Sequence, residues 1–137
     1  MKKHFLLILF ALLSSVTLFA QDQVLGKWLS PDKDGHIEMY KVQNKFYGKI
    51  VWAKDANKKD DKNPDTKLRS RLLLGSVIFT DFEYKNSEWV NGKIYDPVSG
   101  KTYSATIALE SNGKTMKVRG FIGISLLGRT ERFERIN

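Results

Sequence analysis

The sequence predicts a single small all-β domain of antiparallel strands, on three observations. Short runs rich in aromatic and β-branched residues recur about every ten positions and are broken by Gly, Asn, Asp and Pro, the spacing of a sandwich or barrel. The segment Gly92-Lys93-Ile94-Tyr95-Asp96-Pro97-Val98-Ser99-Gly100-Lys101-Thr102-Tyr103 reads as strand, tight turn, strand. Proline presets φ inside the turn, aspartate bonds the backbone ahead of it, and glycine supplies positive φ on the way out. Third, Val118-Arg119-Gly120-Phe121-Ile122-Gly123-Ile124-Ser125-Leu126-Leu127-Gly128-Arg129 sets glycines inside apolar runs, where a barrel strand bends or another backbone comes close.

Taken in order, the pattern places strands near 24–30, 36–43, 46–53, 72–82, 87–95, 102–110, 114–122 and 125–136. Asn44-Lys45 and Asn112-Gly113 are hairpin loops, the second because both central residues of a type I′ turn need positive φ. The clearest alternation puts Tyr103, Ala105, Ile107 and Leu109 on one face, with Thr102, Ser104 and Thr106 on the other. Period two with one apolar face is a half-buried antiparallel strand. Residues 54–71 break the pattern. They are charged and poor in large apolar groups until Leu68, and Asn63-Pro64-Asp65 suits one helical turn capped by Asn63 with Pro64 first in the helix. A loop of this length in a small domain is often functional, as a lid or rim.

Residues 1–20 stand apart. Lys2 and Lys3 precede an apolar run from Phe5 to Leu13, and a more polar stretch leads to Leu18-Phe19-Ala20, the form of a secretory signal cut after Ala20. A spanning helix needs about 20 unbroken apolar residues, and Ser14-Ser15 interrupts this run. The expectation is a periplasmic or secreted protein of one domain, residues 21–137. The chain has no cysteine, so lipid anchoring through a cysteine, disulfides and thiolate metal sites are all absent.

The formal charge of +8 invites a nucleic-acid or anionic-membrane reading. The cations are spread among acids, as in Lys58-Lys59-Asp60-Asp61-Lys62, so the expectation is a solvated basic surface with no nucleic-acid partner and no membrane anchor. Catalysis is poorly supplied. His36 is the sole histidine after residue 20, and no Gly-x-Ser-x-Gly elbow is present. The expectation is no enzyme, no cofactor and no metal. Asp55-x-Asn57 begins like a calcium loop, but Lys59 takes the next alternate position and no bidentate Glu closes it.

Gly26-Lys27-Trp28 in the first strand and Arg132-Phe133-Glu134-Arg135 in the last resemble the calycins, the lipocalin and fatty-acid-binding barrels. That resemblance implies a tryptophan closing the barrel floor beneath an arginine of the last strand, here Gly26, Trp28 and Arg135, with Arg135 preferred to Arg132 because it shares the face of Phe133. A guanidinium over an indole gains about 0.5–2 kcal/mol. Six ordered motifs resemble more closely an exported bacterial family catalogued as domain of unknown function twenty-one forty-seven. They are Gly26-Lys27-Trp28, Gly48-Lys49-Ile50-Val51-Trp52, Lys62-Asn63-Pro64-Asp65, Leu74-Gly75, the Gly92–Tyr103 segment, and Arg119-Gly120-Phe121-Ile122-Gly123 with Leu127-Gly128-Arg129-Thr130. Phe133 stands where that family would carry Trp. The resemblance implies a lipocalin-like barrel of about eight strands in the cell envelope and supplies no catalytic residues.

A barrel of this size is either filled by its own side chains or holds one small ligand. The leading expectation is non-enzymatic binding of a small amphiphilic, lipid-like ligand. Tyr40, Trp52, Tyr95, Tyr103, Arg119 and Arg129 would line the lumen or rim, and the two arginines would meet an anionic head group. The alternative from another class is a protein–protein interaction module with a filled barrel, using residues 54–71; a third is an enzyme acting on envelope material.

Overall fold

The computed structural model describes residues 19–121 and 128–137. Eight antiparallel strands follow one another around a closed barrel in chain order: β1 (Gly26–Leu29), β2 (Gly35–Val42), β3 (Lys45–Ala53), β4 (Val77–Lys85), β5 (Glu88–Asp96), β6 (Lys101–Glu110), β7 (Thr115–Phe121) and β8 (Arg129–Arg135). β8 returns to β1 through Trp28↔Arg135 and Leu29↔Glu134, which closes the sheet and removes its edge there. Of the expected leader, residues 1–18 lie outside the described residues, as do positions 122–127 of the glycine-rich segment before β8. Among the described residues no helix is long and apolar enough to cross a membrane.

Seven of the expected strands fall within a few residues of those observed. The fourth differs: Leu72-Leu73-Leu74 belongs to the preceding connection, and β4 starts at Val77. An apolar triplet reads as strand, yet here two of the leucines pack a loop onto the barrel, Leu73 buried and Leu74 against the core, while Leu72 stays exposed. The first hairpin loop is Gln43-Asn44, one residue earlier than expected, because Val42 pairs with Lys45. Ser111, Asn112 and Gly113 all take positive φ between β6 and β7. A second such turn, Asn86-Ser87, joins β4 to β5 and was not anticipated.

Alternation decides what enters the barrel. Trp28, Ile37, Met39, Phe46, Phe79 and Phe82 meet Trp89, Ile107, Met116 and Val118 in one buried cluster. Phe46 and Trp89 meet edge to face, with centroids 6.4 Å apart. Gly92 faces the same interior, and a methyl group on it would fall within the Phe82 ring. Gly92→Ala is therefore expected to cost about 1–3 kcal/mol through overpacking. Urea unfolding measures it, and an unchanged midpoint would contradict this packing.

Because the strands run up and down, the connections sort to two ends. One end, the loop end, collects residues 30–34, 54–76 and 97–100, with the last residues of β7 and the first of β8. The opposite, plugged end receives the tight hairpins, the chain preceding β1 and the C-terminus. There a 3₁₀ turn, Asp22–Val24, lays Val24 into the core.

Candidate functional site

The two ends are built differently. At the plugged end the Arg135 guanidinium lies 4.2 Å from the centroid of the Trp28 ring. Its Nε donates to the Gly113 carbonyl at 2.8 Å, Nη1 donates to Leu25 O at 2.9 Å, and Nη2 donates to Gln23 O. Gly26 makes room for it: φ is +115°, and a β-carbon would stand 3.2 Å from Nη1. The Trp28 indole donates to Val24 O at 2.9 Å, and the Trp89 indole donates to Gln21 O at 3.1 Å. Burial lowers the Arg135 pKa below its ordinary value, but a guanidinium remains charged at any neutral pH. Arg132 faces outward and donates to Glu110 at 3.3 Å. One cation thus binds three backbone carbonyls and two segments of chain over an indole face, which seals that end.

The long connection between β3 and β4 is a folded strap. Lys59 bridges Leu72, and its backbone bonds include Asp60 N–H to Arg71 O and Leu73 N–H to Lys58 O. The helical turn is a 3₁₀ turn at Thr66–Leu68 capped by Asp65, which accepts the Lys67 N–H at 3.0 Å. Asn63 is not the cap. Its Oδ1 accepts the Asp65 N–H at 2.8 Å, so Pro64 sits before the turn. Asp55 accepts the Asn57 N–H in the same way, a local turn where the sequence mimicked a calcium loop.

Asp60 is fully buried and holds the strap to the barrel wall. Oδ2 accepts from Asn63 Nδ2 at 2.8 Å and from Arg71 Nε and Nη2 at 3.0 and 2.9 Å, while Oδ1 accepts the Tyr95 hydroxyl at 2.5 Å. Burial opposes ionisation of this carboxyl. The bonds from Tyr95, Asn63 and Arg71, with the Arg71 charge, outweigh it and keep the pKa below its ordinary value. Burial, then the bond and charge of Asp60, push the Tyr95 phenol up to about 12. A side chain at Gly100 would overlap the Lys62 carbonyl, so the strap also packs on the β5–β6 turn.

The expected ligand residues do not converge. Tyr40 pairs with Tyr47 on the outer wall, one position out of phase with buried Ile37 and Met39, and stacks on Tyr47 with centroids 5.8 Å apart. Tyr95 pairs with Thr102, also outward, and its hydroxyl is committed to Asp60. Arg119 pairs with Thr106 and Thr130 on the outer face, whereas Arg129 pairs with Gly120 on the inner one. The two arginines therefore point to opposite sides of the sheet and cannot clamp one head group. Arg129 is 87% exposed at the rim and binds Glu131 at 2.5 Å. Tyr103 does face inward, opposite Ile94 and in phase with buried Ala105. Trp52 sits at the loop end, 42% exposed, but pairs with His36 on the outer face, opposite in phase to buried Trp28 and Ile37, its ring 4.5 Å from that of His36.

The middle of the lumen is packed with the aromatic cluster. Two hollows formed by the described residues lie elsewhere. One, of about 300 Å³, is on the outer wall beside Asn91, Lys93, Ser104, Thr106 and Phe121. The other, of about 320 Å³, borders Phe19, Asp22, Asn112 and Arg135. At the loop end, the inward-facing Tyr103 and Glu131 are half-buried and Arg129 is exposed. β1 stops at Leu29 opposite Glu134, so it does not pair with the Arg129–Phe133 stretch of β8.

A closed antiparallel barrel of eight strands, sealed at one end by an arginine over a first-strand tryptophan, is a lipocalin-like protein. It is similar to the solved structure of protein HP1028 from the human pathogen Helicobacter pylori, described as belonging to the lipocalin family, with 29% sequence identity and a TM-score of 0.68 over 75% of this chain and 73% of that one. A family model described as "Uncharacterized protein conserved in bacteria (DUF2147)" matches residues 26–135, and the chain belongs to that family. No curated protein matches the chain. The lipocalin-like barrel is typically a binding fold rather than an enzymatic one, and it is consistent with binding a small ligand.

Proposed function

We propose that this chain is an exported, non-enzymatic binding protein of the bacterial cell envelope that takes a small amphiphilic ligand at the loop end of its barrel. The asymmetry of the ends carries the reading. The plugged end is sealed by Trp28, Arg135 and the 3₁₀ turn, while at the loop end the inward-facing Tyr103, Arg129 and Glu131 keep exposed or half-exposed side chains, with Trp52 on the adjoining outer rim. A ligand there would rest an apolar part on aromatic surface and set its polar head at the Arg129–Glu131 pair. The filled lumen makes this a shallow site rather than a deep pocket. Export rests on the leader-like residues 1–20, with the mature chain starting at Gln21.

Native mass spectrometry of protein purified from its own envelope tests the reading, because a bound lipid-like mass needs no prior guess. Saturating ligand is expected to raise the melting temperature through linkage. Tyr103→Ala is expected to weaken binding most. Arg129→Ala, at an exposed ion pair, is expected to cost at most about 1 kcal/mol. A second reading, a protein-contact module, is favoured by the packed lumen and the ordered strap over residues 54–71. Recovery of apo protein alone, with no thermal shift across fatty acids, lysophospholipids and isoprenoid phosphates, would select that second reading.

A further inference from the structure

Among the described residues, Trp52, Leu68, Leu72, Val77 and Val98 are large apolar side chains left exposed at the loop end, while Phe19 and Val42 are exposed at the plugged end. Leu68 and Leu72 lie on the strap, with Leu72 46% exposed. Val98, 76% exposed, tips the β5–β6 turn that packs on the strap at Gly100 and Lys62. Trp52 is at the same end. The strap and the β5–β6 turn that packs on it thus present Leu68, Leu72 and Val98 together at one end, the kind of exposed apolar surface that marks an interaction site.

Charge accompanies them. The strap exposes six cations, Lys54, Lys58, Lys59, Lys62, Lys67 and Arg69, against three exposed carboxylates, Asp55, Asp61 and Asp65. None of the six takes part in an ion pair among the described residues. Two of the three carboxylates are turned back to backbone, Asp55 onto the Asn57 N–H and Asp65 onto the Lys67 N–H. The strap's remaining acid, Asp60, is buried and matched by Arg71. Along the sequence these lysines alternate with acids and look like solvated surface. Folding takes Asp60 and Arg71 out of play as a pair and leaves the strap's exposed charge positive, six cations against three carboxylates.

We propose that the loop end is a peripheral docking face for an anionic lipid bilayer, with the strap lysines over the head groups and Leu68, Leu72 and Val98 at the head-group boundary. Basic groups beside exposed apolar ones are the composition that binds a negatively charged membrane surface. Each cation near that surface adds about 1 kcal/mol, or roughly fivefold in partitioning. The Asp60 network ties the strap that carries these groups to the barrel wall. This inference stands apart from the small-ligand reading, because it requires a surface and no occupant of the barrel mouth.

Co-sedimentation with phosphatidylcholine vesicles, with and without about one-third phosphatidylglycerol, tests it, on protein beginning at Gln21. The expected result is binding to the anionic vesicles at least about tenfold stronger than to neutral ones, falling at least about tenfold as salt shortens the screening length. Lys58→Glu with Lys59→Glu and Lys62→Glu is expected to abolish it. Leu68→Ser with Leu72→Ser is expected to weaken it about tenfold. All five positions are exposed, so circular dichroism and melting temperature should match those of the parent protein. No sedimentation, equal partition onto both vesicles, or undiminished binding by a folded lysine variant would overturn the proposal. Vesicle binding is scored without added amphiphile, so its outcome is independent of ligand capture at the mouth.

Discussion

Trp28→Ala is expected to lower the free energy of unfolding by about 3–5 kcal/mol, the usual loss for a buried aromatic. Trp28 is fully buried, donates to Val24, and supports the Arg135 guanidinium 4.2 Å from its ring centroid. Removing it leaves Arg135 over a void and frees the 3₁₀ turn. A double-mutant cycle with Arg135→Ala separates closure from simple cavity formation. Coupling of at least about 0.5 kcal/mol is expected for neighbours in contact. Strict additivity would mean that the arginine binds the carbonyls of Gln23, Leu25 and Gly113 without help from the indole.

The second large effect belongs to the strap. Asp60→Ala is expected to cost about 3–5 kcal/mol, the range for breaking a buried ion pair. The Tyr95 hydroxyl and Asn63 amide would lose a partner in a buried setting, at about 1–3 kcal/mol each. Arg71 is a third exposed and can turn to water, which holds the total within that range. Hydrogen exchange should then lose protection at Asp60, Asn63 and Leu73 while the barrel strands keep theirs. Protection unchanged in the strap would show that Asp60 does not hold it. The pH dependence follows from the same bonds. Asp60 has a folded pKa below its ordinary value of 3.8, so its contribution is complete above that pH and is lost as pH falls through the folded value. Tyr95, raised to about 12 from 10.0, contributes below pH 10.0 and loses that contribution as pH rises toward 12.

The barrel was legible in the sequence because its signals are local. Period-two alternation in 102–109 and the hairpin residues Asn112-Gly113 depend only on near neighbours. The Trp28–Arg135 pairing could be placed because the two residues lie on the first and last strands of a fold that must close. What failed depends on register. Arg119 and Arg129 would have shared a face had β7 and β8 been offset by one residue, and one position of slip exchanges the two sides of a strand. The actual offset pairs Arg119 with Thr130. Tyr40 was misplaced for a simpler reason, since Ile37 and Met39 already marked the opposite parity as inward. Asp60 looked like one solvated carboxylate among several. Its partners Arg71 and Tyr95 lie 11 and 35 residues away, and no local pattern announces them.

Hydrogen-exchange mass spectrometry on delipidated protein, with and without the amphiphile recovered from its envelope, tests most directly whether the loop end is where the barrel binds. Added protection confined to peptides covering Gly48–Ala53, Lys101–Ala105 and Arg129–Phe133, with Gln21–Leu29 unchanged, is the predicted result. Protection at the plugged end or along the outer wall, with the loop end unchanged, would contradict it.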